Sequence, residues 1–400
     1  MRTRAVAIGR GLSLGLVGGA LVLPYAGGFP LAYVLLLLAL ALTAWWPFAA
    51  RPTAPGRAEA LMLGAFLVLA AAFLATGDVP SLIRFLVLLL AWPLTAALHT
   101  LAPRNGSALV GRLALAGVAL ALAIALWQVG GDRMVRARGF FSDEIWSAVA
   151  AMALGFIALV GFRATPGPWR FVFLAGPAMA GAVAALSGSR GPLLALPVIL
   201  VAVAIFGVRR RMLAFGIAAA AVVALGVATA VLLPGTMARI GMLATAAQEV
   251  FSGAPVSETS ADVRRTLLHA AWLAFGDEPW TGHGWTHLYA AVDPHMAFEP
   301  GIPPNVFHLH ADPATFAVAA GIPGVVAWLM IVAAPLMGAL DSPRDSQRRA
   351  RLIGCAALSA TYFSCGLANT LFGFEFHTVL FVVLSAILLG WCRDPAEAPR

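Results

Sequence analysis

No lysine occurs in this 400-residue sequence; all 26 basic side chains are arginine, set against 18 Asp and Glu. Charge of either sign is scarce, at 11%, while 61% of the residues are hydrophobic. A soluble domain carries roughly 25% charged residues to wet its surface, so a soluble globule is excluded. Cysteine is almost absent as well. Cys355, Cys365 and Cys392 lie in or beside the last two apolar runs, without metal-ligand spacing and with no pair in an oxidising loop. They read as small core hydrophobes. The chain also lacks an HExxH-type metal motif and any visible internal repeat, which argues against an inverted-repeat transporter.

What fills the chain is apolar runs near the ~20 residues needed to cross a bilayer. Twelve are legible, at 11–27, 30–49, 58–76, 83–101, 109–130, 146–162, 170–187, 190–207, 212–233, 313–339, 351–371 and 376–392. The expected fold is therefore an all-α polytopic membrane protein, a single integral membrane domain over 1–400. The first run follows Met1-Arg-Thr-Arg4 and leads at once into the second, so it reads as an uncleaved helix rather than a signal peptide.

The excess of arginine does not point to nucleic acid. Arg2, Arg4, Arg10, Arg51, Arg57, Arg104, Arg112, Arg163, Arg170, Arg209, Arg210, Arg211, Arg344, Arg348, Arg349, Arg351, Arg393 and Arg400 fall at alternate ends of consecutive runs. That alternation is what the positive-inside rule produces. It predicts twelve spans with both termini cytoplasmic. Eight arginines fall on the far side and escape the rule: Arg84, Arg133, Arg136, Arg138, Arg190, Arg239, Arg264 and Arg265. The two substantial far-side loops are 131–145 and 234–312, the latter lying between spans nine and ten. Within the long loop, Ala261–Phe275 has helical spacing of Val263, Leu267, Ala270, Ala271 and Ala274 behind Ser260 and Asp262 as caps. Trp280, Trp285, Tyr289 and Phe298 are aromatics of the type found at a membrane interface.

Three far-side arginine groups are candidates for anion binding. Arg190 lies in Ser187-Gly-Ser-Arg190-Gly-Pro192, where it either snorkels from a span end or binds an anion beside flexible Gly and Ser. Arg136 and Arg138 precede Gly139-Phe-Phe-Ser-Asp143, where pairing with Asp143 or Glu144 is the plainer reading. Arg264 and Arg265 are adjacent, so on a helix they point about 100° apart. Arg265 shares a face with His269, four residues on, and is favoured for a site.

Six of the eight histidines fall between His269 and His310, in the long loop. A histidine is more often structural than catalytic, but its unperturbed pKa of about 6.5 suits proton abstraction near neutrality. His308-Leu-His310, with Asn305 and Asp312 nearby, is the candidate base. His283 and His287, at i and i+4 spacing, offer a rival metal site that His308 and His310 could join. Guanidinium groups bind phosphate through charge-assisted, often bidentate hydrogen bonds. Arginines and a histidine at one membrane boundary thus suit transfer of a group from a diphosphate leaving group.

These pieces resemble the O-antigen ligase and polymerase family of bacterial envelope polysaccharide enzymes, from about residue 125 onward. The matching motifs are Arg136-x-x-Gly139, Ser187-x-Ser-Arg190-Gly191, Arg265 leading through Trp272 to Pro279-Trp-Thr-Gly-His-Gly284, and His310 with Gly321-x-x-Gly324. In the family pattern Asn, Ser or Gln follows the histidine. Ala311 stands there instead, and Asn305 or Asp312 is the expected substitute. The resemblance implies a metal-independent, inverting glycosyltransferase of lipopolysaccharide biosynthesis, without cofactor, at the periplasmic face of the inner (cytoplasmic) membrane. The donor would be a glycan on undecaprenyl diphosphate and the acceptor a sugar hydroxyl of lipid A–core. On this reading Arg190 and Arg265 hold the diphosphate, with Arg136, Arg138, Arg264 and His308 as further substrate-binding residues. His310 activates the acceptor, unless His308 takes that role. A polymerase joining lipid-linked repeat units would share the donor chemistry. A lipid-linked glycan transporter would place charges at mid-membrane, whereas these spans are nearly free of Asp, Glu and Arg away from their ends.

Overall fold

The computed structural model describes residues 2–49, 54–141, 143–207, 260–296 and 308–393. Every regular element among them is helical, as expected where long apolar runs must satisfy their backbone groups without water. In order they are α1 (Arg2–Val22), α2 (Pro24–Ala49), α3 (Arg57–Ala75), a 3-10 segment Val79–Leu90 running into α4 (Ala91–Thr100), α5 (Gly106–Gly130), α6 (Glu144–Ile157) and α7 (Leu159–Ala164). A 3-10 segment Pro168–Leu174 then leads into α8 (Ala175–Leu186), followed by α9 (Arg190–Gly207), α10 (Ser260–Asp277), α11 (Leu288–Val292), α12 (Asp312–Asp341), α13 (Arg348–Gly366) and α14 (Glu375–Trp391).

Seven helical segments among the described residues are long and apolar enough to cross a membrane: Pro24–Trp45, Arg57–Ala75, Val79–Thr100, Gly106–Gly130, Glu144–Ala164, Pro168–Leu186 and Asp312–Asp341. Shorter apolar helices cover Val6–Val22, Gly191–Phe206 and Glu375–Trp391. The chain is a multi-pass membrane protein. Eleven of the twelve expected runs overlap helices; the first is divided between α1 and α2, and α13, over the eleventh, ends at Gly366 and is in neither apolar set. The ninth run at 212–233, Arg51, the arginines at 209–211, Arg239, Phe298, Asn305 and Arg400 lie outside the described residues.

The core is organised around α6 and α14, whose residues Trp146–Ile157 and Phe376–Trp391 are buried on every side. A helix that is apolar all round belongs in such an interior position. Small residues let neighbours close in: a Cβ on Gly155 would lie 2.6 Å from the Gly176 carbonyl oxygen, so α6 and α8 touch backbone to backbone.

The helices alternate in direction and sort their ends into two groups. One end gathers the connections near residues 103–106, 165–168, 341–348 and 391–393. There Arg351, fully buried, donates from Nε to Ser342 Oγ (2.7 Å) and from Nη2 to the Pro343 carbonyl (2.8 Å). It also pairs with both Asp345 oxygens and donates to the Cys392 carbonyl. Arg351, one of the arginines in the alternating set, staples α12, α13 and the end of α14. The other end gathers residues 22–28, 76–84, 130–144, 186–191, 260–296, 308–312 and 366–375, and it contains every described far-side arginine.

Candidate active site

The loop helix expected at 261–275 is α10. Its apolar stripe of Leu267, Ala270, Ala271 and Ala274 packs with Val292, Leu309 and Val318. The segment that follows is built onto a break in α12. Ala320 and Gly321 leave helical geometry, and Pro323 has no N–H to offer Ala319. The stranded Val318 and Ala319 carbonyls accept instead from His283 N–H (2.8 Å) and Gly284 N–H (2.9 Å). In return Ile322 N–H donates to the Pro279 carbonyl at 2.8 Å. Gly282 (φ +68°) and Gly321 (φ +63°) meet at this joint; a Cβ on Gly282 would lie 2.4 Å from Ala320 N. Two motifs that are far apart in sequence are thus halves of one contact.

Further anchors fix the segment. Trp285 is buried between Phe85 and Phe316, with ring centroids 5.3 and 5.4 Å away, whereas Trp280 and Tyr289 are exposed. Asp78 Oδ2 accepts from Thr286 N–H at 2.9 Å. Arg84 donates to the Gly373 carbonyl at 3.0 Å, so this far-side arginine tethers a loop.

This scaffolding accounts for several histidines. His283 Nε2 bonds the Ala274 carbonyl (2.8 Å) and His295 Nε2 bonds Asp277 (2.8 Å), while His269 is exposed on α10. His283 and His287 flank the Gly284–Thr286 turn rather than sharing a helix face. Among the described residues no three His, Cys, Asp or Glu side chains converge as a metal site.

His308 and His310 differ from the others. Leu309 between them is buried in the α10 cluster, which fixes the turn, and His310 is held at φ +55°, a conformation that L residues seldom adopt. Their ring centroids are 4.1 Å apart at 77°, and His310 N–H donates to His308 Nδ1 at 3.3 Å. His308 also meets the Phe374 ring edge-on at 5.9 Å. Desolvation lowers both pKa values. That of His310 falls to about 4, pressed further by His308 and Arg264, while the Asn369 amide works in the opposite sense. For His308 the Asp143 carboxylate opposes the burial and Arg264 reinforces it. Both rings are therefore neutral near pH 7, with a lone pair available.

The surrounding residues come from distant elements. Asp143 caps α6, accepting from Ile145 N–H at 2.6 Å. The 369–374 connection is held against the start of α12: Asp312 Oδ1 accepts from Leu371 N–H (2.7 Å), and the Thr315 and Thr370 hydroxyls are 3.0 Å apart. Trp146 Nε1 donates to the Thr370 carbonyl at 3.3 Å. Asp312, one expected polar substitute for Ala311, is thus engaged with this connection. Asn369, which the sequence did not single out, is the polar side chain beside His310.

The arginine motifs meet at the same end. Arg136 Nε donates to the Ser187 carbonyl (2.7 Å) and its Nη1 is 3.6 Å from Glu144, while Ala137 N–H bonds the Leu186 carbonyl (3.0 Å). The Arg136 loop and the Ser187 turn are therefore stitched together. Gln128 clamps the Arg138–Gly139 backbone and leaves the Arg138 side chain exposed. Arg190 opens α9, and a Cβ on Gly191 would lie 3.0 Å from Ala368, the neighbour of Asn369. Of the adjacent pair, half-buried Arg264 is the one whose charge bears on both histidines; Arg265 is exposed on the same side of α10 as His269. Cavities of about 430 and 420 Å³ open at the opposite end, beside Arg112 and Arg10.

No curated protein matches the chain. A family model, that of the O-antigen ligases, matches residues 174–329, and over that stretch, which includes Arg190, Arg264, Arg265, His308 and His310, the chain is similar to them.

Proposed function

We propose that the protein is the O-antigen ligase of a bacterial inner membrane, with twelve spans, cytoplasmic termini and residues 234–312 as a periplasmic loop. It transfers a polysaccharide from undecaprenyl diphosphate to a sugar hydroxyl of lipid A–core, by inversion and without a metal. The observation that carries this reading is the convergence at one end of the helices of the His308–His310 pair, Arg264 and the start of α9, all within the matched stretch.

In this mechanism neutral His310 takes the proton of the acceptor hydroxyl as its oxygen attacks the anomeric carbon. The bond from that carbon to the diphosphate breaks, and undecaprenyl diphosphate leaves with the electron pair. Arg190, Arg264 and Arg265 hold the diphosphate, with Arg136 and Arg138 at the approach. A donor anion beside Arg264 offsets the charge that depresses the histidines, which raises the basicity of His310 once substrate is bound. His308, with Nδ1 occupied by the His310 N–H, orients its neighbour and contacts substrate.

Deletion of the gene followed by separation of the cell's glycolipids tests the assignment. A ligase leaves bare lipid A–core while long chains accumulate on undecaprenyl diphosphate. Core capped with one repeat unit would assign a polymerase instead, and lipid-linked chains stranded on the cytoplasmic face a transporter.

A further inference from the structure

The turn at His310 leaves one of its own atoms unsatisfied. His310 Nδ1 is buried with no hydrogen-bond partner among the described residues. The same is true of both polar atoms of the Asn369 amide, on a residue with 0% exposure. Leaving a buried polar group unmatched costs about 1–3 kcal/mol, and the Asn369 amide is near enough to the His310 ring to act on it as a side-chain hydrogen-bond partner, so each is the available partner of the other. Asn369 is also not at a free loop end. The next residue, Thr370, is fixed by Thr315 and Trp146, and the residue after that by Asp312. Thr315 in turn bonds the Ala311 carbonyl through its N–H (2.9 Å) and its hydroxyl (2.8 Å), directly after His310. On its other side Ala368 touches Gly191 at the start of α9.

We infer that Asn369 is the positioning residue for His310. Its side-chain oxygen accepts the Nδ1 proton, which holds the ring with Nε2 bare toward the acceptor hydroxyl. A second ring nitrogen that is held in this way sets both the tautomer and the aim of a histidine. Asn369 thereby supplies, across the fold, the polar partner that Ala311 cannot provide in sequence. The inference rests on the base role of His310 given above. The charged and titratable groups that bear on the ring are His308 and Arg264, with Asp143 acting on His308.

The test uses the full-length protein in proteoliposomes, with undecaprenyl-diphosphate glycans extracted from the deletion strain and purified lipid A–core. Asn369→Ala is expected to lower kcat about 10- to 100-fold, the scale seen when the hydrogen-bond partner of a metal-ligating histidine is lost, with KM little changed. Its acid limb in kcat/KM moves to lower pH. Adding Ala311→Asn to that variant restores at least part of kcat, which a merely structural defect would not allow. If Asn369→Ala does not survive size-exclusion in detergent, Asn369→Asp carries the test, because a carboxylate beside the ring moves the acid limb upward. Full kcat in Asn369→Ala, a raised KM at unchanged kcat, or an unmoved limb in Asn369→Asp overturns the inference. His310→Ala separates the two levels. If it retains full transfer, the base and the positioning role both fall; if it is dead while Asn369→Ala is fully active, the positioning role alone falls.

Discussion

Asp312 Oδ1 accepts the backbone N–H groups of Leu371 (2.7 Å) and Phe372 (3.2 Å), so the first residue of α12 holds the connection that carries Asn369. Asp312→Asn keeps an oxygen at that position and is expected to fold and transfer much as the parent does. Asp312→Ala strands two buried donors, at about 1–3 kcal/mol each. Thermal unfolding in detergent beside a transfer assay checks the pair; equal behaviour of Asn and Ala would deny the contact its role.

The joint between Gly282 and Gly321 predicts a sharp contrast among glycines. Gly282→Ala or Gly321→Ala combines a left-handed backbone with a Cβ pressed against Ala320 N or, at 2.6 Å, the Pro279 carbonyl oxygen. Either should cost about 1–3 kcal/mol in strain, expose residues 260–296 to protease and depress transfer. Gly276→Ala, in α10 with nothing within 4 Å, should instead be neutral or stabilise the helix by up to about 1 kcal/mol.

The lowered pKa of His310 sets a pH signature. The folded ring protonates near 4 and the unfolded one near 6.5. Between those values the unfolded chain binds the extra proton, so stability falls as pH drops from about 6.5 toward about 4. Melting temperatures at a series of pH values should show that decline, and His310→Gln should shrink it, with His308 supplying part of what remains. The acid limb of kcat/KM, which reports the free enzyme, should lie well below 6.5.

Two arginines should fail in opposite ways. Arg351→Met takes the guanidinium away from the Asp345 carboxylate, which is only 2% exposed and also accepts from Gln347 N–H, a loss of about 3–5 kcal/mol that should abolish recovery of folded protein. Arg351→Lys should not rescue it, since an ammonium cannot reproduce the forked geometry. Arg138→Gln, at an exposed side chain, should fold within about 0.5 kcal/mol of the parent and lower kcat/KM. Size-exclusion profiles and transfer rates separate the two defects.

The helices were legible because lipid allows an apolar run few other structures. The glycine motifs were legible as positions but not as partners, because a contact between Pro279 and Ile322 leaves no periodic trace. Asn369 was hidden for a related reason: it closes an apolar run as an ordinary polar residue, and its relevance appears only when α12 and α13 are side by side. The polar gap at Ala311 was the available signal. Arg84 and Arg351 show the converse, in that charges assigned by their side of the membrane also tether backbone.

The break in α12 also sets an order of assembly. Residues 279–284 leave the ribosome before α12 does, yet their N–H groups bond carbonyls that exist only once Val318–Pro323 has formed its break. The 279–284 segment therefore completes its contacts only after α12 has formed, and a fragment of 260–296 alone lacks the surface on which it is shaped.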